Sequence, residues 1–268
     1  DFCLSRGLGD VYKRQGRRID MIFGRKAKQA EYIVDVHCHI LPGIDDGSRS
    51  MEETLKMLRI AADEGITHVI ATPHYKLEHN NATPGQVDEL IDAVQAEASK
   101  NNIPIVIYQG NEVLFFNEFD EYLENKSFCR MNYGDYVLTE FLPTDRFSYI
   151  RNAVDDVLST GCVPIVAHVE RYECMASNIE NVRTIRNMGA DIQINASSVT
   201  GGGGKNVKKF VHSLLKEQLV DYIGTDAHRC EGSRVPNICE CSNILYKKYD
   251  EKYVDSILYG NAMDRIIQ

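Results

Sequence analysis

The sequence predicts a parallel (β/α) barrel, closer to seven strands than eight, with a polar site at the carboxyl ends of those strands. Three observations carry this. Short β-branched segments alternate with amphipathic helical ones over most of the chain, a pattern that calls for parallel strands joined by right-handed crossovers. Six of the seven strand segments end in a histidine or a carboxylate. The chain, 268 residues with 43% apolar and 26% charged side chains, suffices for one large α/β domain with a substantial core, or for two small domains.

The opening "DFCLSRGLGDVYKRQGRRID" is basic, glycine-dotted and aperiodic, and regular patterning begins near Glu31. Residues 1 to about 28 are therefore expected to lie outside the fold, disordered or foreign to it, with Met21 a natural start. A basic docking arm is the alternative reading. Residues 29–268 are expected to form a single domain. "YIVDVHCHI" is the first strand. "SMEETLKMLRIAADEG" follows as a helix, with Ser50 as its cap, Glu53 closing a capping box and Gly65 ending it. "THVIATPH" is the second strand, and "TPGQVDELIDAVQAEASKNN" is a helix opened by Thr83 and Pro84. "IPIVIYQGNEV", "DYVLTEF", "CVPIVAHVE", "ADIQINA" and "VDYIGTDAH" supply five more strands. Helices are expected in "FSYIRNAVDDVLSTG", "NIENVRTIRNMG" and "NVKKFVHSLLKEQ". Residues 114–134 break the alternation, with a short helix around "NEFDEYLENK".

Composition narrows the function. A formal net charge of −9 argues against a nucleic-acid backbone as main partner. No apolar run approaches the ~20 residues that cross a bilayer, and no signal-peptide pattern is present. The eight cysteines form no C-x-x-C pair and read as reduced thiols in a cytoplasmic protein. None is followed six residues later by arginine, so the C-x₅-R arrangement of cysteine-based tyrosine phosphatases is absent.

"DVHCHILPGIDDGS" holds the first chemical signal. Side chains at i and i+2 of a strand point to one side, so His37 and His39 aim at one point, with Asp45 and Asp46 in the next loop. Alone, the pair leaves a metal site and a plain histidine-bearing strand equally open. The pattern then repeats. Strand ends bring His74, Glu112, Glu140, His168, and the pair Asp226 and His228. In a parallel barrel all these ends meet at one mouth, where such folds carry their chemistry. Clustered imidazoles and carboxylates suit divalent metals, which acidify water and neutralise phosphoryl oxygens. Arg171 and Arg234 lie beside the mouth in sequence and suit bidentate phosphate binding.

On "DVHCHILPGIDDGS", "ATPHY", "GNEV", "TEF", "AHVERY", "QIN" and "GTDAH…SR", the chain from about Ile33 onward resembles the polymerase-and-histidinol-phosphatase (PHP) fold. Within it the resemblance is to the capsule-type, CpsB/CapC-like, metal-dependent protein-tyrosine phosphatases. That resemblance implies a PHP-type distorted (β/α)7 barrel holding three metals. His37, His39, Glu112 and Asp226 would hold the first; Glu112, bridging, with Glu140 and His168 would hold the second. Asp46, His74 and His228 would hold the third. It implies Mn²⁺ first, with Fe or Zn²⁺ also suited, and catalytic roles for Arg171, Arg234 and Asp226. The implied partner is the phosphotyrosine tail of a bacterial tyrosine autokinase controlling capsule or exopolysaccharide synthesis. Membrane insertion is not implied, and oligomerisation is left open.

Competing functions are a small-molecule phosphatase such as one for histidinol phosphate, an amidohydrolase, or a non-catalytic regulatory barrel. Other features read as structural. Cys38 turns away from the histidine pair, His68 and His212 are expected in packing roles, and "GGGGKN" is a loop lacking the P-loop spacing. "CEC" at 239–241 reads as a helix face or surface. His79 is a loop residue able to touch substrate. Tyr75 and Tyr172 are read equally as core residues and as stacking partners for a phenol ring.

Overall fold

Seven parallel strand positions succeed one another around a common axis in the computed structural model, which describes residues 32–268. The expectations for residues 1 to about 28 fall outside the described residues. Strands β1 (Val34–Cys38), β2 (His68–Ala71) and β4 (Val106–Gln109) form one sheet in that order. A second sheet runs β3 (His74–Tyr75), β5 (Glu112–Leu114), β6 (Tyr136–Glu140), β7 (Val163–Val166), β8 (Asp191–Asn195) and β9 (Tyr222–Gly224). Every pairing is parallel.

The second and third expected strands are each interrupted, and the sequence explains where. Pro73 has no N–H for a ladder. Gly110 sits so close to Met131 that an added Cβ would lie 2.9 Å from its sulfur. The register survives both breaks, since His68 pairs with Val106 and His74 with Glu112, equal steps along the two strands. Each broken strand therefore counts once. The last strand meets the first through a bridge between Cys38 and Ala227. Asp35 ties the same seam, accepting from Thr225 N at 2.8 Å and Thr225 Oγ1 at 2.5 Å.

Helices cover one face of the strands. Met51–Asp63 buries Thr54, Met57, Leu58 and Ala61, a stripe at helical spacing. Ser50 caps it, accepting from Glu53 N. The expected capping box does not close there, because the Glu53 carboxylate accepts from Arg49 N instead. A full box opens Pro84–Lys100, with Thr83 and Gln86 exchanging bonds. Phe147–Ser159 and Ile179–Met188 match expectation, the latter ending at Gly189 with φ of 119°. Gly204–Lys216 begins two residues before "NVKK", and the short Phe119–Glu124 stands in the irregular region.

A separate apolar cluster fills the space inside the strands. Val34, Val36, Ile70, Leu138, Ile165 and Tyr222 pack there with Met131, and Ala262 and Ile266 from the C-terminal segment plug it. Burial of each large aliphatic side chain contributes about 1.5–3 kcal/mol. The β1–β2 register shifts between Asp35 and Cys38, an irregularity of the kind that re-aims side chains. Val34 and Val36 join the interior cluster, while Cys38 joins the helix-facing core. His37 lies within the irregularity and His39 just past it.

Candidate metal centre

Site side chains reach the mouth because the strands end where they do, and two of them need unusual backbone. His168 and Asp226 have φ of 30° and 52°, a left-handed conformation that costs energy in non-glycine residues unless neighbours fix it. His168 N donates to Gln193 Oε1 at 2.6 Å, and Asp226 N donates to His37 O at 2.7 Å. Gly224 keeps the seam thin: a Cβ there would fall 2.6 Å from the Cβ of His37.

Proton positions follow from the partners. His39 Nδ1 lies 2.8 Å from Asp45 Oδ2, and His37 Nδ1 lies 3.3 Å from Gln193 Oε1. Both partners are acceptors, so each Nδ1 carries a proton and Nε2 is the nitrogen left to face a cation. Those Nε2 atoms face each other at 3.1 Å. Each is 3.2 Å from Glu112 Oε2 and 3.6 Å from Asp226 Oδ1. Four electron-rich atoms at these separations repel unless positive charge lies among them. A divalent cation fits this donor set.

The other donors adjoin it. His168 Nε2 is 2.8 Å from Glu112 Oε1 and 3.6 Å from Glu140 Oε1. His74 and His228 each bring Nε2 to 3.4 Å from Asp46 Oδ1. His74 Nδ1 also lies 3.0 Å from Glu112 Oε2 and 3.7 Å from Glu140 Oε2. His74 Nδ1 and His228 Nε2 are buried and make no hydrogen bond among the described residues. Buried lone pairs without partners are costly, and metal coordination would satisfy them. All nine residues expected as ligands thus come together. Their donor groups adjoin one another closely. Donor atoms of His39, Asp46, His74 and His228 lie within 4.8 Å of one another, as do those of His74, Glu112 and Glu140. His39 thus borders the third expected set as well as the first, and His74 faces the second as well as the third.

The electrostatics of the cluster favour cations. Burial opposes ionisation of Glu112, yet the facing imidazoles hold it well below the usual carboxylate range. Burial also opposes charge on His39, but Asp45 and Glu112 raise its pKa to about 10. Burial, with His39 and Arg234, lowers His228 to about 3. Glu140 is raised by burial and by the Glu112 carboxylate. Arg171 and Arg234 converge on one group: their Nη2 atoms lie 2.5 and 2.6 Å from the two oxygens of Asp226. Each uses a single Nη there, and Arg234 Nε makes no hydrogen bond among the described residues.

Some contributors escaped the sequence reading. β8 supplies no expected ligand, yet it carries the support. Gln193 Oε1 holds His168 N and His37 Nδ1, while Gln193 Nε2 donates to Asn195 Oδ1 at 3.0 Å. Asn195 Nδ2 in turn donates to Asp226 Oδ2 at 3.0 Å. Their i, i+2 spacing in "QIN" puts both on one face, which was the available signal. Asp45, visible beside Asp46, orients His39 and accepts from Gly47 N and His74 N. Arg229 braces the same loop by donating to Asp46 O and Gly47 O. Tyr75 and Tyr172 are core residues: both are buried, and Tyr172 Oη lies 3.4 Å from His168 Nδ1. His68 stacks on Tyr108 and His212 meets Tyr249 Oη, both in packing roles. Among the described residues His79 bonds only within its own loop.

Fold and site together define a distorted parallel barrel with a candidate multi-metal centre at its mouth. The chain belongs to the family described as capsular polysaccharide synthesis, CpsB/CapC, whose profile matches residues 33–267. It is 32% identical over 201 residues to the tyrosine-protein phosphatase YwqE of Bacillus subtilis, covering 73% of this chain and 77% of that one. It is 28% identical over 244 residues to the tyrosine-protein phosphatase CpsB of Streptococcus pneumoniae, covering 88% and 100%. Among solved structures, one from a study of YwqE and CpsB, described as unique metal-dependent tyrosine phosphatases, matches with a TM-score of 0.80. Its identity is 28%, over 88% of this chain and 94% of that one. A histidinol phosphate phosphatase from Lactococcus lactis shares the fold at a TM-score of 0.53 and 16% identity, over 81% of this chain and 94% of that one.

Proposed function

We propose that this protein is a metal-dependent phosphatase of protein phosphotyrosine, acting in the cytoplasm on the tyrosine-bearing tail of a kinase that controls capsule or exopolysaccharide synthesis. The observation that carries it is the pairing of an electron-rich donor cluster with two arginines that meet at Asp226, in a chain of the CpsB/CapC family. The proposed ligands are His37, His39, Asp46, His74, Glu112, Glu140, His168, Asp226 and His228, holding three ions, Mn²⁺ foremost. Bound divalent ions supply an acidified water and Lewis-acid neutralisation of phosphoryl oxygens.

The chain's own groups do the rest. Asp45 and Gln193 fix the Nδ1 protons of His39 and His37, so Nε2 faces inward on both. Asp226 orients Arg171 and Arg234 together, and their remaining N–H groups suit the equatorial phosphate oxygens. A tyrosine phenol, with a pKa near ~10, leaves with less acid assistance than an alkyl alcohol. The scheme uses no thiol, and Cys38, between the two histidines, is buried with its sulfur directed to Ala227 O.

The test is competition. Offered phosphotyrosine peptide and histidinol phosphate together at matched concentrations, the Mn²⁺-loaded protein is expected to show the larger kcat/KM for the peptide. A much larger value for histidinol phosphate would replace this reading with the small-molecule one.

A further inference from the structure

Three large hydrophobic side chains are exposed among the described residues: Tyr133, Leu142 and Tyr149. Two of these flank Phe141, the residue that follows Glu140. Leu142 is next in sequence and 53% exposed. Tyr149 sets its ring edge-on to Phe141 at 6.3 Å and to Phe115 at 5.8 Å. Phe115 is itself tied to the site, its N–H donating to Glu140 O at 3.0 Å. On the other side Phe141 packs edge-on against Tyr172 at 5.7 Å, next to Arg171. Leu142 and Tyr149 thus expose apolar surface on the loop and helix that follow β6, over the buried Phe141, which itself adjoins the proposed ligand Glu140.

The exposure of Leu142 is imposed by a braced loop. Leu142 N donates to Asp145 Oδ2 at 2.8 Å, and Asp145 N returns a bond to Leu142 O at 3.0 Å. Glu173 N donates to Pro143 O at 2.9 Å, fastening the loop to the segment after Arg171. A leucine held out rigidly leaves apolar surface wet, and covering it would stabilise whatever complex does so. The site next to it indicates what does. A phosphate ester on a small alcohol ends inside the mouth, whereas a phosphotyrosine in a polypeptide must carry its neighbours across the rim.

We propose that Leu142 and Tyr149 form a docking ridge for the polypeptide, taking an apolar side chain next to the phosphotyrosine; this rests on the phosphotyrosine reading above. The ridge then sets sequence preference, and the metal centre sets the chemistry. It is tested by kinetics of the Mn²⁺-loaded wild type, Leu142→Ser and Tyr149→Ala. The substrates are p-nitrophenyl phosphate, a phosphotyrosine peptide flanked by leucine and valine, and one flanked by glycine and serine. Wild type is expected to favour the apolar-flanked peptide. In Leu142→Ser the ratio of its kcat/KM to that of p-nitrophenyl phosphate should fall about 5- to 20-fold through KM, as loss of one side chain's burial gives. Leu142 is a surface residue, so this variant carries the test even if Tyr149→Ala folds poorly. An unchanged ratio, with wild type turning over both peptides, overturns the ridge alone. Wild type that hydrolyses p-nitrophenyl phosphate but neither peptide overturns the ridge and the protein-phosphatase reading together.

Discussion

The floor and the mouth of this barrel are built from the same strands, a few residues apart, and they obey opposite rules. On β6, Leu138 lies in the interior apolar cluster and Glu140, two residues on, lies among carboxylates and imidazoles. On β7 and just past it, Ile165 belongs to the floor and His168 to the mouth, with a left-handed backbone between strand and loop. The floor gains stability from removing apolar surface from water. The mouth gathers like-charged and unpartnered groups that a stable fold avoids, and it is tolerable because the floor and the helix-facing core supply the free energy. At the end where ligands bind, left-handed backbone at His168 and Asp226 coincides with electrostatic conflict between Glu112 and Glu140.

Substitutions at the two ends should therefore dissociate stability from activity. Leu138→Ala is expected to cost about 2–5 kcal/mol of unfolding free energy by leaving a cavity. Activity per folded molecule should survive at low temperature, as read by denaturant titration alongside rate. Glu140→Gln should do the reverse. Burial and Glu112 raise the Glu140 pKa, so above its unfolded pKa the ionised side chain costs stability, and at neutral pH an amide removes that cost. The chelated variant is expected to melt higher than chelated wild type, while the Mn²⁺-supplemented rate falls by at least about 100-fold. If chelated Glu140→Gln melts lower, the electrostatic account of the mouth is wrong.

Within the mouth, groups that touch phosphate should separate from groups that hold metal. Arg171→Ala or Arg234→Ala is expected to lower kcat/KM by roughly 10- to 1000-fold with metal content near wild type. Normal rates in both variants would remove the phosphate-binding assignment. A smaller effect is expected behind the ligands. Gln193→Leu deletes the acceptor that orients His37 and His168 and should weaken Mn²⁺ affinity by about 10- to 100-fold. Gln193→Glu, which keeps an acceptor oxygen, should recover part of it. Isothermal titration reads this directly, and equal affinity in Gln193→Leu would reduce that side chain to packing.

Much of this was legible in the chain because both signals are local. Period-two and helical apolar patterns marked strands and helices, and a ligand-type residue at a strand end is visible wherever the strand is. What escaped depends on contacts distant in sequence. The breaks at Pro73 and Gly110 split two strands, and Gly110 is constrained by Met131. The second partner of Glu53 shifted by one residue, which no spacing rule distinguishes. Gln193 and Asn195 received no role because theirs lies in bonding His37, His168 and Asp226 from three other strands. Tyr75 and Tyr172 sit beside site residues in sequence but are buried in the core. The sharing of His39 and His74 among neighbouring donor groups needs coordinates, since ring orientation decides which nitrogen faces which carboxylate.

The central claim is that the mouth is a metal centre, and anomalous diffraction from crystals grown with Mn²⁺, recorded across the manganese absorption edge, tests it most directly. The expected result is strong anomalous peaks among His37, His39, Glu112 and Asp226, beside Glu140 and His168, and between Asp46, His74 and His228. They should vanish after chelation, together with turnover of phosphotyrosine peptide. A map without peaks at the mouth, from protein that still hydrolyses the peptide in excess chelator, would contradict the account.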